Sequence, residues 1–465
     1  MHAVLAQGAA LPTQDQIAEA AGVNRRTISN VIRDLRPDRL IAGRRPVELG
    51  PGAGLALGIS LGFETLRGAL IDANGVMHHQ TEDLPTPRQL EATPGALLNR
   101  LRSLAARVLT AGVADQSLWA QDDAPVLRML GVAVAWPCPV DRDKHPGGTT
   151  LRDEHWRRRD PTTGRFPTLP ERLAAVLGPP FDVRYCHALN DASANALAVA
   201  FDDSRGRAIQ RGDDRWRVSL VVRVGGGIGA STILLAPHSR SRLSFIDARV
   251  IEGANGFAGE LGHLPIDRVV VDELNATPAP DGLAPLDYDN WVCSCSRRHH
   301  LEVFASGTTL ERRLKASGYA IPTEGSPRDT MLRAAFAGDA DDVQIHAIRD
   351  IGRVLGRGLA GPILMLDPSS ITITGSLANE HLVEGIRRER DAWANAINDS
   401  VEIRCYGGTV GAFAGARGAA LAIVRRSVYR AFLDEKRVPF PTGFGFGERE
   451  LECLTGERVT AIPSG

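Results

Sequence analysis

Between Cys293 and Glu302 the chain reads CSCSRRHHLE, which places two cysteines, two histidines and a glutamate within ten residues. C-x-C-x4-H spacing offers three soft or borderline ligands, and a tetrahedral metal site needs four. Cys293, Cys295 and His300 are the three; His299 is a rival to His300. His263, in the preceding stretch EGANGFAGELGHLPID, is a candidate for the fourth. The remaining cysteines (Cys138, Cys186, Cys405 and Cys453) are scattered and suit buried thiols. In a reducing compartment the clustered pair favours a metal over a disulfide.

Three further stretches carry groups that could do chemistry. In HALNDASANALA, Asn190 and Asp191 stand where a strand gives way to a helix; such a pair caps helices, and also offers a carboxylate and an amide to a ligand. VRVGGGIGAS is a glycine-rich turn whose backbone N–H groups suit an anion, although many such turns only reverse the chain. GISLGFET, residues 58–65, sits at a strand-turn-strand, and Glu260 lies three residues before His263.

Near the N-terminus, LPTQDQIAEAAGVNRRTISNVIRDL reads as two short helices around a glycine turn, with Thr13 as N-cap of the first. Ala18 permits a close crossing, Gly22 supplies the left-handed turn, and Val23 and Ile28 pack the second helix on the first. Ile28, Val31, Ile32 and Leu35 form its apolar stripe. Its outward residues are Asn24, Arg25, Arg26, Thr27, Ser29, Asn30 and Arg33, side chains that reach bases and phosphates. The expectation is a DNA-binding helix-turn-helix over residues 1–50, with any wing that follows short or absent.

The elements that must position these groups are α/β. LALGISLGFETLRGALIDANGVMHHQ, LRMLGVAVAWPCPVD, WRVSLVVRVGGGIGASTILLA and SSITITGSLAN are apolar strand runs ending in turns, with Asn74-Gly75 a hairpin signal. Helical stretches separate them, giving a body of two lobes. At 465 residues the chain is long enough for two or three domains, and its net charge of −1 leaves no global basic field, so nucleic-acid binding must come from a local patch. No apolar run approaches the roughly 20 residues of a membrane helix. With no signal-peptide pattern at the start, a soluble, cytoplasmic protein is expected. Residues 431–465, rich in glycine, proline and charge, read as a loosely ordered tail.

Taken in order, these stretches resemble the ROK family of repressors and sugar kinases over most of the chain. Gly259-Glu260-Leu261-Gly262-His263 is similar to the family's G-E-x-G-H motif, and CSCSRRHHLEVFAS to its zinc motif C-x-C-G-x-x-G-C-x-E. There His300 replaces the third cysteine, and Ser296 and His299 replace the two glycines; DELNATPAPDGLAPLDYDN looks like a loop insertion. The resemblance implies an actin/hexokinase-like body with a first lobe over 54–188 and a second over 189–430, whose last helix packs back on the first. It implies a structural zinc on His263, Cys293, Cys295 and His300, and a sugar held by Asn190, Asp191, Glu260, His263 and Glu302. Asp191 matches the general base of the family's kinases. Yet the phosphate loop D-x-G-G-T of those kinases is here degraded, with Ser60, Phe63 and Glu64 at its altered positions. Phosphoryl transfer depends on positioning and charge neutralisation. The implied protein is therefore not an enzyme. It is a sugar-controlled transcriptional regulator, most simply a repressor, that binds operator DNA as a homodimer or higher homo-oligomer; the alternative is an ATP-dependent sugar kinase of the family.

Overall fold

The computed structural model describes residues 14–21, 23–35, 41–42, 48–62, 65–83, 94–120, 125–137, 140, 167–206, 216–235, 248–277, 280, 282–293, 295–319, 341–394, 401–429 and 443–456. Thr13, Gly22, Phe63 and Glu64 lie outside these residues, and so do the side chains of Ile32 and Leu35.

Two short helices come first, α1 (Gln14–Ala21) and α2 (Arg25–Leu35). Ala18 and Ile28 are buried between them, and the amide of Val23 donates to the carbonyl of Ala18 at 3.0 Å. Val23 and Val31, expected to pack inward, are instead 41% and 45% exposed. A small antiparallel pair follows, β1 (Ile41–Ala42) and β2 (Glu48–Leu49).

The first lobe is built on β3 (Leu55–Leu61), β4 (Leu66–Asp72), β5 (Met77–Asp83), α3 (Pro94–Ala114), β6 (Leu127–Trp136), α4 (Leu169–Leu177) and β7 (Cys186–Asn190). β3 and β6 are near-continuous apolar runs and are buried on both faces; β5, at the sheet edge, alternates and carries histidines and acids. β3 is antiparallel to β4 and parallel to β6, and β6 is parallel to β7. The Asn74-Gly75 turn closes the β4–β5 hairpin, with Gly75 at φ 74°. The Asn74 side chain also grips the chain leaving the N-terminal helices: its Oδ1 accepts from the Leu49 amide at 3.3 Å and its Nδ2 donates to the Leu49 carbonyl at 2.8 Å.

The chain then runs through α5 (Asp191–Gly206), β8 (Arg217–Val224), β9 (Ile228–Leu235), β10 (Arg249–Ile251), α6 (Arg268–Ala276), α7 (Leu301–Ala305), α8 (Gly307–Ala316), α9 (Asp342–Gly358), α10 (Ala360–Leu366), β11 (Ser370–Thr374), α11 (Glu380–Ala394), β12 (Glu402–Cys405), α12 (Gly408–Ala412) and α13 (Ala414–Val424). The second sheet has the order β10-β9-β8-β11-β12, with β11 parallel to both β8 and β12. A third apolar core joins the lobes. In it Leu197 and Phe201 of α5 and Leu421 and Ile423 of α13 meet Ile71 and Leu130 of the first sheet and Ile233 and Leu235 of the second. The crossing is tight: a Cβ at Gly418 would sit 1.7 Å from the carbonyl oxygen of Ala194, so only glycine fits there.

The C-terminal region departs from expectation. β13 (Phe444–Phe446) pairs antiparallel with β6, and α14 (Glu448–Thr455) packs on α3. Phe446, Leu451 and Leu454 are buried in the first-lobe core. Residues 443–456 are thus part of the sheet and not a loose tail; their apolar side chains, though few, fall at strand and helix spacing and close an open edge of β6. Among the described residues no helix is long and apolar enough to cross a membrane.

Candidate ligand cleft and metal centre

His263, Cys293, Cys295 and His300 come together with ligand atoms all within 4.8 Å of one another. His263 ends a single helical turn after Glu260, and His300 is the N-cap of α7. Between them the chain folds into a knuckle: the Cys293 amide donates to the Arg297 carbonyl at 2.8 Å, and the Ser296 amide to the Cys293 carbonyl at 2.8 Å. The Ile266 amide to the His299 carbonyl (2.7 Å) and the Leu301 amide to the Leu264 carbonyl (2.8 Å) tie the knuckle to the His263 turn. This knuckle requires left-handed backbone at Ser296 (φ 68°) and His299 (φ 65°), the two positions where the family's motif has glycine.

The donor spacings fit a tetrahedral ion. Bonds of about 2.0–2.1 Å to nitrogen and about 2.3 Å to sulfur give tetrahedral edges of about 3.3 Å between nitrogens and about 3.6 Å between nitrogen and sulfur. The Nδ1 atoms of His263 and His300 are 3.3 Å apart, Cys293 Sγ is 3.5 Å from His263 Nδ1, and Cys295 Sγ is 3.3 Å from His300 Nδ1. Burial, and then the neighbouring His263, push the His300 ring below its usual range, which keeps it neutral and able to ligate. Burial and a hydrogen bond to Glu302 push the Cys293 thiol up; its Sγ lies 2.7 Å from Glu302 Oε1.

The segment between the His263 turn and Cys293 braces the knuckle. The Asn275 side chain holds Leu286 through both its amide and its carbonyl (2.9 Å each), and the Tyr288 hydroxyl donates to the Ile266 carbonyl at 3.2 Å. The Tyr288 ring stacks on His299 at 4.0 Å with an 8° interplanar angle, on Phe304 at 5.6 Å, and under Arg268 at 5.0 Å.

The Cys/His group forms one wall of a cleft of about 650 Å³ that also contains Asn190, Asp191, Glu260 and Glu302. His263 faces both ways: Nδ1 points to the cysteine cluster, and Nε2 lies 3.5 Å from Glu260 Oε2. Glu302 nests against glycines, since a Cβ at Gly227 would sit 3.0 Å from its Oε2 and one at Gly262 3.2 Å from its Cβ. Burial pushes the Glu260 carboxyl up; His263 opposes this, while Asp191 and Glu302 add to it. Asn190 caps α5, its Oδ1 accepting from the amides of Ala192 (2.9 Å) and Ser193 (3.3 Å). Asp191, 5% exposed, pairs with Arg223, Nη1 to Oδ2 at 2.9 Å. Burial raises the Asp191 pKa and Arg223 opposes it.

Arg223, Arg297, Arg312 and Phe257 also line the cleft and were not expected from the sequence. Arg223 had a signal: a lone charge in the apolar strand SLVVRV just before the glycine turn. Ser60 is buried but is not among the cleft residues.

At the N-terminal helices, Asn24 serves as a helix cap, accepting from the Thr27 amide (2.8 Å) and hydroxyl (3.1 Å). Ser29 faces α1, its hydroxyl 2.8 Å from Gln14 Oε1, and Arg25 pairs with Asp15 at 3.3 Å. Arg26, Thr27, Asn30 and Arg33 are exposed.

An α/β body of two lobes with a ligand cleft and a Cys/His centre defines the class. The sequence profile of the ROK family matches residues 181–426, more than half of the chain. The chain belongs to the ROK family. It is similar to the xylose repressor of Bacillus spizizenii, 21% identical over 392 residues that cover 80% of this chain and 81% of the relative. It is also similar to the glucokinase of Streptomyces coelicolor, 24% identical over 358 residues, 73% of this chain and 88% of the relative. Its fold matches the solved structure of a ROK family transcriptional regulator, a homolog of the E. coli MLC protein, with a TM-score of 0.54, 19% identity, and coverage of 89% of this chain and 92% of the other.

Proposed function

We propose that this chain is a cytoplasmic DNA-binding transcriptional regulator, a repressor whose operator affinity is set by a sugar bound in the cleft and not phosphorylated there. The observation that carries the reading is the Asp191–Arg223 pair at 2.9 Å. A general base must be free to take the sugar hydroxyl proton. Here the matching carboxylate is buried and bound to an internal guanidinium. That same guanidinium occupies the space against the glycine turn: a Cβ at Gly225 would lie 3.5 Å from Arg223 Nη1. Relatives named xylose repressor and N-acetylglucosamine repressor support the reading, and those named glucokinase support a sugar kinase as the alternative.

In this reading Glu260, His263, Glu302, Asn190 and Asp191 hold the sugar hydroxyls with fixed acceptors. His263, Cys293, Cys295 and His300 hold a structural zinc. Four protein ligands leave no open coordination position, so the ion supplies rigidity and no reactive water. Because one ring serves both metal and ligand, the zinc sets the angle at which His263 Nε2 meets the sugar. The helix-turn-helix presents α2 to the major groove, with Arg25, Arg26, Thr27, Asn30 and Arg33 toward DNA. A homodimer places two such helices on a near-palindromic operator, and sugar shifts the population between lobe arrangements.

The test is selection of genomic DNA fragments by the purified chain, with and without a panel of sugars, alongside a coupled assay for ATP-dependent sugar phosphorylation. Discrete sites whose occupancy responds to one sugar, with no phosphorylation, are expected. Turnover of a sugar with ATP would replace this reading by the kinase.

A further inference from the structure

Three guanidinium groups line the cleft, and Arg223 alone among them has an anionic partner among the described residues. Arg312 is exposed on α8, one turn beyond Thr308. The Thr308 hydroxyl donates to the Gly226 carbonyl at 2.8 Å, so α8 is pinned to the glycine turn and Arg312 is held at the cleft wall. Arg297 is exposed on the metal knuckle, whose backbone its carbonyl closes by accepting from Cys293. Each carboxylate of the cleft is paired with a group other than Arg297 or Arg312, Asp191 with Arg223, Glu260 with His263, and Glu302 with the Cys293 thiol, and each keeps acceptor capacity for a ligand.

A neutral sugar presents hydroxyls, and the acceptors of Glu260, Glu302 and Asn190 suffice for them. Two further guanidiniums with no anionic partner among the described residues are in excess of that need. Their planar forks match a carboxylate or a phosphate, which they bind through paired, charge-assisted hydrogen bonds. We propose that the effector is an anionic sugar derivative, a phosphate ester or a sugar acid. Its ring lies at Glu260, His263 and Glu302, and its anionic group lies between Arg297 and Arg312. This inference rests on the reading of the cleft as a sugar site.

The full chain is titrated calorimetrically with glucose, N-acetylglucosamine and xylose, with the 6-phosphates of the first two, with glucuronate, and with inorganic phosphate alone. One anionic sugar is expected to bind at least about tenfold more tightly than its neutral parent, the scale of a charge-assisted hydrogen bond. Added salt should weaken the anionic ligand more than the neutral one. In Arg297→Ala/Arg312→Ala the ratio of the two affinities falls toward one, and in Arg312→Glu, which leaves the metal knuckle untouched, it inverts. Metal content and thermal midpoint confirm that each variant is folded. Phosphate ester against uronate identifies the anion, and inorganic phosphate alone should bind only weakly. A neutral parent that binds as tightly as its anionic forms, or a ratio that survives both sets of substitutions, overturns the inference while leaving the sugar-regulator reading intact. Binding of none of these probes overturns both.

Discussion

The metal knuckle uses left-handed backbone at two residues that have side chains, and the stack on His299 is where compensation is concentrated. A left-handed non-glycine residue costs roughly 1 kcal/mol. The face-to-face contact of Tyr288 with His299 at 4.0 Å returns about 1 kcal/mol. The Arg268 contact over the Tyr288 ring adds about 0.5–1 kcal/mol. The Tyr288 hydroxyl to Ile266 adds about 1 kcal/mol more. Tyr288→Ala should therefore loosen the knuckle by about 2–3 kcal/mol, a factor of about 30–150 in local opening. His299→Gly relieves the strain but loses the stack and frees the unfolded chain by about 0.5–1 kcal/mol, so it should stay within about 1 kcal/mol of neutral. In the Tyr288→Ala background, where the stack is already gone, His299→Gly should be neutral or slightly stabilising. The assay is hydrogen exchange at the amides of Cys293, Ser296 and Leu301, each bonded within the knuckle or to the His263 turn, read with the rate of metal release to a chelating dye. Equal effects of His299→Gly in both backgrounds would refute the compensation argument, and unchanged exchange in Tyr288→Ala would show that Tyr288 does not brace the knuckle.

Three other outcomes are expected. Arg223→Ala strands a buried carboxylate and should cost about 3 kcal/mol at neutral pH. Since burial raises Asp191 in the folded state, that state binds more protons than the unfolded one; the deficit grows as pH rises above the usual aspartate range, shrinks toward acid pH, and is repaired by Asp191→Asn, all measurable by denaturant unfolding across pH. Metal analysis of the purified chain should find about one zinc per chain, and Cys293→Ser should lose it together with fold stability, read by thermal unfolding. Phe446→Ala, which empties a fully buried ring position, should cost about 3–5 kcal/mol in equilibrium unfolding, against near-zero effect if residues 443–456 were a loose tail.

The metal quartet was legible because cysteine and histidine at those spacings have few other uses, and the structure brings all four side chains together. His263 was a candidate fourth ligand from its residue type and the preceding loop, and the family motif made it the implied one, since the 29 residues between it and Cys293 do not tell how a loop returns. The central strands β3, β4, β6, β8, β9 and β11 were legible as apolar runs closed by turns, whereas the short strands β10 and β12 were not read. What escaped was whatever depends on a tertiary neighbour. Arg223 is a strand residue until Asp191 is placed beside it. Asn24 and Ser29 look outward on a helical wheel, yet one caps its helix and the other meets Gln14. The pairing of Phe444–Phe446 with β6 was masked by the glycine, proline and charge around it, because composition averages over residues whereas burial is decided one side chain at a time.

The order in which the chain is made has its own consequence. β3, β4 and β6 emerge from the ribosome early, but the helix that covers β3, α13, and the strand that seals the β6 edge, β13, are among the last described elements. A Cβ at Gly58 on β3 would collide with the carbonyl of Ala416, so α13 lies directly against that face. The first lobe is begun first and completed last, and the second lobe has all its strands before the first has its final one. While synthesis continues, an apolar sheet face and an open strand edge stay uncovered, the state in which nascent chains are most exposed to mispairing.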